Sequence, residues 1–538
     1  MPLDPRLLEE TAFMDAKVVA AARQAFPVGP GRLALGAVVH QGECNPEPLV
    51  SLPLSMLNRH GLIAGATGTG KTKTLQVMAE QLSAAGVPVF VADLKGDLSG
   101  IAMPGQSNPA IQQRAGDTGF DWKPFGCPVE YLSLTGQRGA QLRASVSSFG
   151  PLLLSKVLGL NDTQSSVLSL VFKYCDDHKL PLIDFPDLRA VLQYLSSDGA
   201  ADLKDYGGLS KATVGVLLRD MVQLEQQGAQ AFFGEPEFDL NDLLVTRAGP
   251  GGRTMGLVSV LELSDVQEKP AMFSTFMMWM LARLYHQLPE VGDVERPKLV
   301  FFFDEAHLLF DGASKEFLAQ VEQVVRLVRS KGVGVFFITQ SPRDVPADIL
   351  GQLGNRVQHA LRAFTPDDEK ALKSAARTFP KTDFYDVEQI LTTLGIGEAL
   401  ITVLTPSGAP TPPFATRVIP PAARMGPLTD AEMQQAVGGS AQVKHYANSV
   451  DRESARELLA ARMSGDAAGA GGVPRAVAAD EAAAPATVAA AGAATIGALA
   501  AALNSPIVKT IAGRATTQVM RGLMGALLGP PPRRSRRY

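Results

Sequence analysis

The sequence predicts an α/β fold. A strand-like run at residues 60–65 leads into the glycine-rich stretch GATGTGKT at 65–72. Residues 71–85 then place Leu75, Met78, Ala79 and Leu82 at the i, i+3, i+4, i+7 spacing of an amphipathic helix. Gly86 closes that helix, and residues 87–92 form a short apolar strand with Asp93 at its end. Strand, loop, helix, strand is the βαβ unit of an α/β fold.

The remaining elements follow in order. Residues 1 to about 55 read as a short lead-in with a strand at 32–39 and a proline-containing approach, SLPLSML. Further strands are expected at 129–134, 255–263, 299–303, 333–339, 356–363 and 398–404. Residues 136–252 are helical and strand-poor, a helical insert large enough for a small lobe. The core therefore falls into two parts, 56–135 and 253–420, followed by a helical extension at 421–462. Residues 463–495 are rich in Ala and Gly, which bury too little apolar area to offset chain entropy, and read as a linker. In 496–538 a helical stripe of Val519, Met520, Leu523, Met524, Leu527 and Leu528 precedes three prolines and an arginine cluster.

Composition sets the class. The 538 residues are 46% hydrophobic and 19% charged, as in ordinary globular proteins. The 3 cysteines, Cys44, Cys127 and Cys175, lie far apart without CxxC spacing, which excludes a disulfide framework or a cysteine-rich zinc site. The N-terminus lacks the basic and apolar regions of a secretory signal. Apolar runs before residue 460 are too short to span a bilayer, so a soluble cytoplasmic enzyme is expected. From Ser505 onward the chain carries seven cations and no acid; with a total of -4, the rest carries -11. An acidic body does not advertise an extended nucleic-acid surface, although it leaves room for a small basic pore.

GATGTGKT fits the pattern GxxxxGK[ST] at every required position, between a strand and a helix as that pattern demands. Gly65, Ala66, Thr67, Gly68, Thr69, Gly70, Lys71, Thr72 and Lys73 are the candidate nucleotide-binding residues. Backbone N–H groups of the loop can turn around phosphates, Lys71 can reach the β- and γ-phosphates, and Thr72 can offer its hydroxyl to Mg²⁺. The second site is LVFFFDE, an apolar strand that delivers Asp304 as a metal-side carboxylate and Glu305 as the base for water. ATP and Mg²⁺ are the implied ligands.

Other residues are open to two readings. Asp304 to His307 spell DEAH, but no downstream arginine motif of a superfamily-2 helicase accompanies it, and His307 stays outside the chemistry. Gln340, at the end of the 333–339 strand, is placed to sense the γ-phosphate or position water. Arg356 and Arg362 are each either a finger acting across a ring interface or a salt-bridge residue. The loop Asp93-Leu94-Lys95-Gly96-Asp97, expected beside the phosphate loop, either contacts nucleotide-bound metal or a neighbouring subunit or forms a polar turn.

In this order, HGLIAGATGTGKT, VADLKGDLSG, LVFFFDEAH, GVGVFFITQSPRDVP and LGNRVQHALRAF resemble the HerA–FtsK superfamily of ATPases, closest to its YjgR-like branch. FFGEPEFDLNDLL and QVMRGLMGALLG are similar to that branch too. The resemblance implies a RecA-like P-loop core, ATP and Mg²⁺ as ligands, and often a hexameric ring; relatives pump double-stranded DNA. It places Lys71 and Thr72 in the Walker A motif, Asp304 and Glu305 in Walker B, Gln340 as sensor, and Arg356 or Arg362 in the finger region. Two features depart from it: the region before the loop is short for the N-terminal β-barrel of DNA-pumping relatives, and the body is acidic.

Three functions compete at this point. One is a ring-forming motor on DNA. Another is an ATP-dependent switch whose C-terminal helix binds a protein partner, a groove or self-association being favoured over a membrane surface. The third is a P-loop phosphotransferase.

Overall fold

The structure, a computed structural model, describes residues 16–468 apart from 204–207, 268, 293, 312 and 314. Most of the 463–495 linker and all of the 496–538 helices and arginine-rich tail expected from the sequence lie outside the described residues.

Helix α1 (residues 16–25) precedes a long hairpin of β1 (Arg32–His40) and β2 (Glu43–Pro53). β3 (Gly61–Ala64) enters the glycine loop and is followed by α2 (Lys71–Ala84) and β4 (Val89–Asp93). Next come α3 (Pro109–Thr118), β5 (Val129–Ser133), the short β6 (Ala140–Gln141), and the helices α4 (Val146–Val157), α5 (Asp162–Asp177), α6 (Phe185–Ser196) and α7 (Lys211–Gln226). A small pair, β7 (Thr246–Ala248) and β8 (Thr254–Gly256), precedes β9 (Val258–Glu262) and α8 (Pro270–Gln287). The second half runs through β10 (Leu299–Phe303), α9 (His307–Phe310), α10 (Lys315–Val328), β11 (Val333–Thr339), α11 (Ala347–Leu350) and β12 (Asn355–His359). α12 (Pro366–Ala376), α13 (Val387–Thr393), β13 (Glu398–Thr402), β14 (Phe414–Val418), α14 (Asp430–Gly439), α15 (Ala441–Tyr446) and α16 (Ala455–Ala468) complete it.

One 12-stranded sheet organises these elements in the order β2-β1-β14-β13-β12-β3-β11-β10-β4-β9-β5-β6. From β12 to β6 the strands are parallel, whereas β13, β14, β1 and β2 extend the sheet antiparallel. The parallel strands read as unbroken apolar runs because both faces are covered. Phe301 and Phe303 join one core cluster while Val300 and Phe302 join the other. Helix α2 buries Leu75, Met78, Ala79 and Leu82 in that second cluster. At about 25 cal/mol per Å² of apolar surface, such two-sided burial is the main term holding the sheet.

The strand-poor stretch forms α4 to α7, with capping boxes at Asn161–Gln164 and Asp184–Asp187 fixing the starts of α5 and α6. Phe149, Leu188 and Phe232 from this stretch share one cluster with Phe90, Phe301 and Phe303 of the sheet. The helices are a layer over the sheet, not a lobe with a core of its own. The expected strand at 255–263 is two strands, β8 and β9, interrupted at Leu257. The one expected at 356–363 ends at His359, which leaves Arg356 in β12 and Arg362 beyond it.

Candidate nucleotide site

Strand order gathers the motifs at one edge. β3, β11 and β10 are consecutive, with Ala64 beside Thr339 and Phe337 beside Phe303. The glycine loop, the Gln340 segment and the Asp304–Glu305 pair therefore leave the carboxyl ends of adjacent strands, where open α/β sheets bind ligands.

The loop needs its glycines for close approach. A Cβ on Gly65 would stand 2.5 Å from the His359 Cβ. Gly70, at φ +117°, caps α2 and would place a Cβ 3.1 Å from the Gly397 Cα. The N–H groups of Gly65 and Ala66 are held by the carbonyls of Thr339 (3.2 Å) and Ala360 (2.9 Å). The Thr69 hydroxyl donates to the Ala66 carbonyl at 2.7 Å, and the Thr69 carbonyl accepts the Gly397 N–H at 2.9 Å. Thr67 and Gly68 stand exposed at the crest, while Thr72 is half-buried in the first turn of α2. The free N–H groups of that turn suit an anion. The Lys71 ammonium donates to the Gly65 and Ala66 carbonyls at 2.7 and 3.2 Å. Burial lowers the Lys71 pKa, opposed by Glu305 and Asp304, and burial likewise lowers that of Lys73, opposed by Asp97 and Asp93.

Asp304 is 4% exposed and its Oδ1 accepts the Glu305 N–H at 2.9 Å. Its Oδ2 is buried without a hydrogen-bond partner. Burial, and then the Glu305 charge, push the Asp304 carboxyl up to about 7. A buried carboxylate oxygen without a partner is costly unless a cation satisfies it. As a hard anionic oxygen, this donor fits a divalent cation. Glu305 follows in the left-handed backbone region at φ +49°. Its Oε1 is paired with the Lys95 ammonium, and the His307 Nδ1 lies 3.4 Å from its Oε2.

A cleft of about 730 Å³ opens beside the loop, lined by Ala66, His307, Gln340, Arg343, Asp344 and Arg362 among others. Asp344 Oδ2 accepts from the Thr339 hydroxyl (2.7 Å) and the Ser341 N–H (2.8 Å), which fixes the turn that presents exposed Gln340. Arg362 is exposed and makes no hydrogen bond or ion pair among the described residues. Arg356 differs: its guanidinium donates to the carbonyls of Thr378 (3.0 Å), Leu353 (3.3 Å) and Leu350 (3.4 Å). It clamps its own chain.

The Asp93–Asp97 loop follows β4, which β11 and β10 separate from β3, yet the charges of its Asp97 and Asp93 act on Lys73 at the end of the phosphate loop. The loop also neighbours Glu305. The Asp93 carboxylate is consumed by the turn itself, accepting N–H groups of Lys95 (3.2 Å), Gly96 (2.8 Å) and Leu98 (2.8 Å). Sequence reasoning also passed over His359. Its Nδ1 lies 2.8 Å from the Glu398 carbonyl, so that nitrogen carries the proton, and Nε2 accepts the Thr74 hydroxyl at 2.9 Å. Burial lowers the His359 pKa to about 4, which keeps the ring neutral. A lone histidine in an apolar strand gives no signal of such a brace.

A phosphate loop on a parallel sheet, with an acidic pair two strands away and a helix behind the loop, defines a RecA-like P-loop protein. The chain belongs to the family described as helicase HerA-like C-terminal, which it matches over residues 39–534. It is 21% identical over 360 residues to the DNA double-strand break repair helicase HerA of Sulfurisphaera tokodaii strain DSM 16993. That match covers 65% of this chain and 64% of the relative, so the chain spans less than two thirds of that protein. Among solved structures it is similar to the bacterial conjugative coupling protein TrwBdeltaN70, at 16% identity and a TM-score of 0.49 over 75% of this chain and 93% of that one. It is also similar to VirB4 of Thermoanaerobacter pseudethanolicus, at 15% identity and a TM-score of 0.42 over 76% of this chain and 99% of that one. No helix among the described residues is long and apolar enough to cross a membrane.

Proposed function

We propose that this chain hydrolyses ATP as a HerA–FtsK-type motor, assembled as a homo-oligomeric ring that acts on double-stranded DNA. The observation that carries the hydrolase reading is the Asp304–Glu305 pair, buried two strands from the glycine loop, with one Asp304 oxygen unpaired. Thr72 and Asp304 would hold Mg²⁺, whose charge offsets that of the phosphates. The Gly65–Gly70 loop would wrap the phosphates, turning the N–H groups of Thr67, Gly68 and Gly70 to them, helped by Lys73, and Lys71 would exchange its carbonyl partners for phosphate oxygens. Glu305 takes the proton of the attacking water as that oxygen bonds to the γ-phosphorus and the bond to the ADP oxygen breaks. Gln340, in the cleft, orients the water. Arg362, exposed on the same cleft, serves the neighbouring subunit as a finger, whereas Arg356 is held by three carbonyls of its own chain.

The ring and DNA parts rest on family membership and on the helicase relative. Against them stands the acidic body, which favours an ATP-driven switch on a protein partner as the second reading. ATP turnover with and without linear double-stranded DNA, on protein sized by light scattering, separates the two. A hexamer stimulated several-fold supports the motor, and a DNA-indifferent monomer or dimer removes it. Phosphate appearing on an added acceptor instead of in water would remove the hydrolase reading itself.

A further inference from the structure

The contact to Glu305 is made by Lys95, a residue outside both the phosphate loop and the Asp304–Glu305 pair. Lys95 sits one strand over from Glu305, because β4 and β10 pair in parallel with Ala92 beside Phe303. Its backbone is pinned: Asp93 accepts the N–H groups of Lys95, Gly96 and Leu98 within one turn. From that fixed base the half-exposed Lys95 side chain reaches the buried Glu305 and occupies its Oε1. Oε2 is buried and makes no hydrogen bond, with the His307 Nδ1 3.4 Å away. Glu305 itself holds a left-handed backbone, at φ +49°, that a non-glycine residue keeps only when its surroundings fix it. The surroundings here are the Asp304 Oδ1 bond to its N–H, the Ala306 N–H bond to the Ile338 carbonyl at 2.8 Å, and Lys95.

We infer that Lys95 is a positioning residue that restrains Glu305, holding one carboxylate oxygen away from the attacking water until the pair opens. This rests on the assignment of Glu305 as the base. An ammonium on one carboxylate oxygen stabilises the negative charge and lowers the basicity of the whole group, so Glu305 takes the water proton less readily while the pair is closed. The Glu305 side chain is 5% exposed but that of Lys95 is 48% exposed, so water screens the pair from the lysine's side and can replace the ammonium when the pair opens. The pair slows turnover without blocking it. The Asp93–Asp97 loop thereby sets how often the base is free, and anything that moves this loop sets the basal rate.

The test compares steady-state ATP turnover, nucleotide affinity by fluorescence titration, and thermal melting for wild type, Lys95→Met, Lys95→Arg and Glu305→Gln. Lys95→Met is expected to raise kcat about two- to fivefold, the rate equivalent of a weak ion pair. Its KM, nucleotide affinity and melting temperature stay at wild-type values, and Lys95→Arg restores the wild-type rate. The double variant Lys95→Met/Glu305→Gln is as slow as Glu305→Gln alone. If Lys95→Met leaves kcat unchanged or lowers it, while Glu305→Gln is inactive, the restraint is wrong and the base assignment stands. A rise in KM, or a lower melting temperature with the rate merely scaled down, overturns it equally, since Lys95 would then bind nucleotide or serve the fold. Lys95→Gln gives the same reading should the methionine variant be lost. Normal turnover by Glu305→Gln would instead remove the base assignment, and the restraint with it.

Discussion

His359 accepts the Thr74 hydroxyl at 2.9 Å, which ties the end of β12 to the first turns of the helix behind the phosphate loop. The same ring donates to the Glu398 carbonyl at the start of β13, so one neutral imidazole joins three elements beneath the glycine loop. His359→Ala would leave a buried hydroxyl and a carbonyl without partners and a cavity under Gly65. A loss of about 2–4 kcal/mol in urea unfolding is expected, with weaker nucleotide binding in fluorescence titration.

Asp304→Asn is expected to separate stability from activity. The carboxylate is buried with Oδ2 unpaired, so the amide should match or exceed wild type in melting temperature. Turnover should fall about a hundredfold or more, because the metal-side charge is gone. A variant that is both less stable and fully active would mean that Asp304 serves the fold.

Arg356 and Arg362 should respond in opposite ways. Arg356→Ala strands three backbone acceptors and should cost about 2–3 kcal/mol in unfolding. Arg362→Ala should leave unfolding unchanged and lower turnover by at least about tenfold. Mixing Arg362→Ala with Glu305→Gln protein in an assembled ring should recover part of the rate if the arginine acts across subunits.

Glu262 ends β9 beside Asp93, fully buried with both oxygens unpartnered, and burial pushes its pKa up to about 8. The folded chain therefore binds a proton there that the unfolded chain has lost by about pH 4.5–5. The contribution is fully present below the unfolded pKa and is lost as pH rises through about 8. Glu262→Gln should match wild type at pH 4.5 and be more stable by about 1 kcal/mol or more at pH 8.5, as read by denaturant titration at both values.

Much of this arrangement was legible because parallel strands covered on both faces must be apolar throughout. LVFFF and VGVFFIT announce β10 and β11 in that way, and the loop of residues 65–72 is fixed by what phosphate binding requires. β2 is not legible because Pro46, Pro48 and Pro53 break its strand pattern, yet prolines are tolerated on an edge strand, and β2 is the sheet edge. α8 escaped because PAMFSTFMMWMLARLYHQ is apolar around most of its circumference, as a buried helix is, and shows no single stripe. Neighbour relations were the larger gap. Nothing local in DLKGD reveals that β4 pairs with β10, so the Lys95–Glu305 contact exists only through strand order. The same order puts Arg356 into a self-clamp and leaves Arg362 on the cleft, a distinction that two arginines six residues apart cannot display.

Glu305 as the base that activates water is the central claim, and one comparison tests it. Wild type and Glu305→Gln are mixed with ATP and magnesium, and bound nucleotide and released phosphate are measured on the same samples. Glu305→Gln should bind ATP as tightly as wild type and release phosphate at least about a hundredfold more slowly. Phosphate release near the wild-type rate would contradict the assignment.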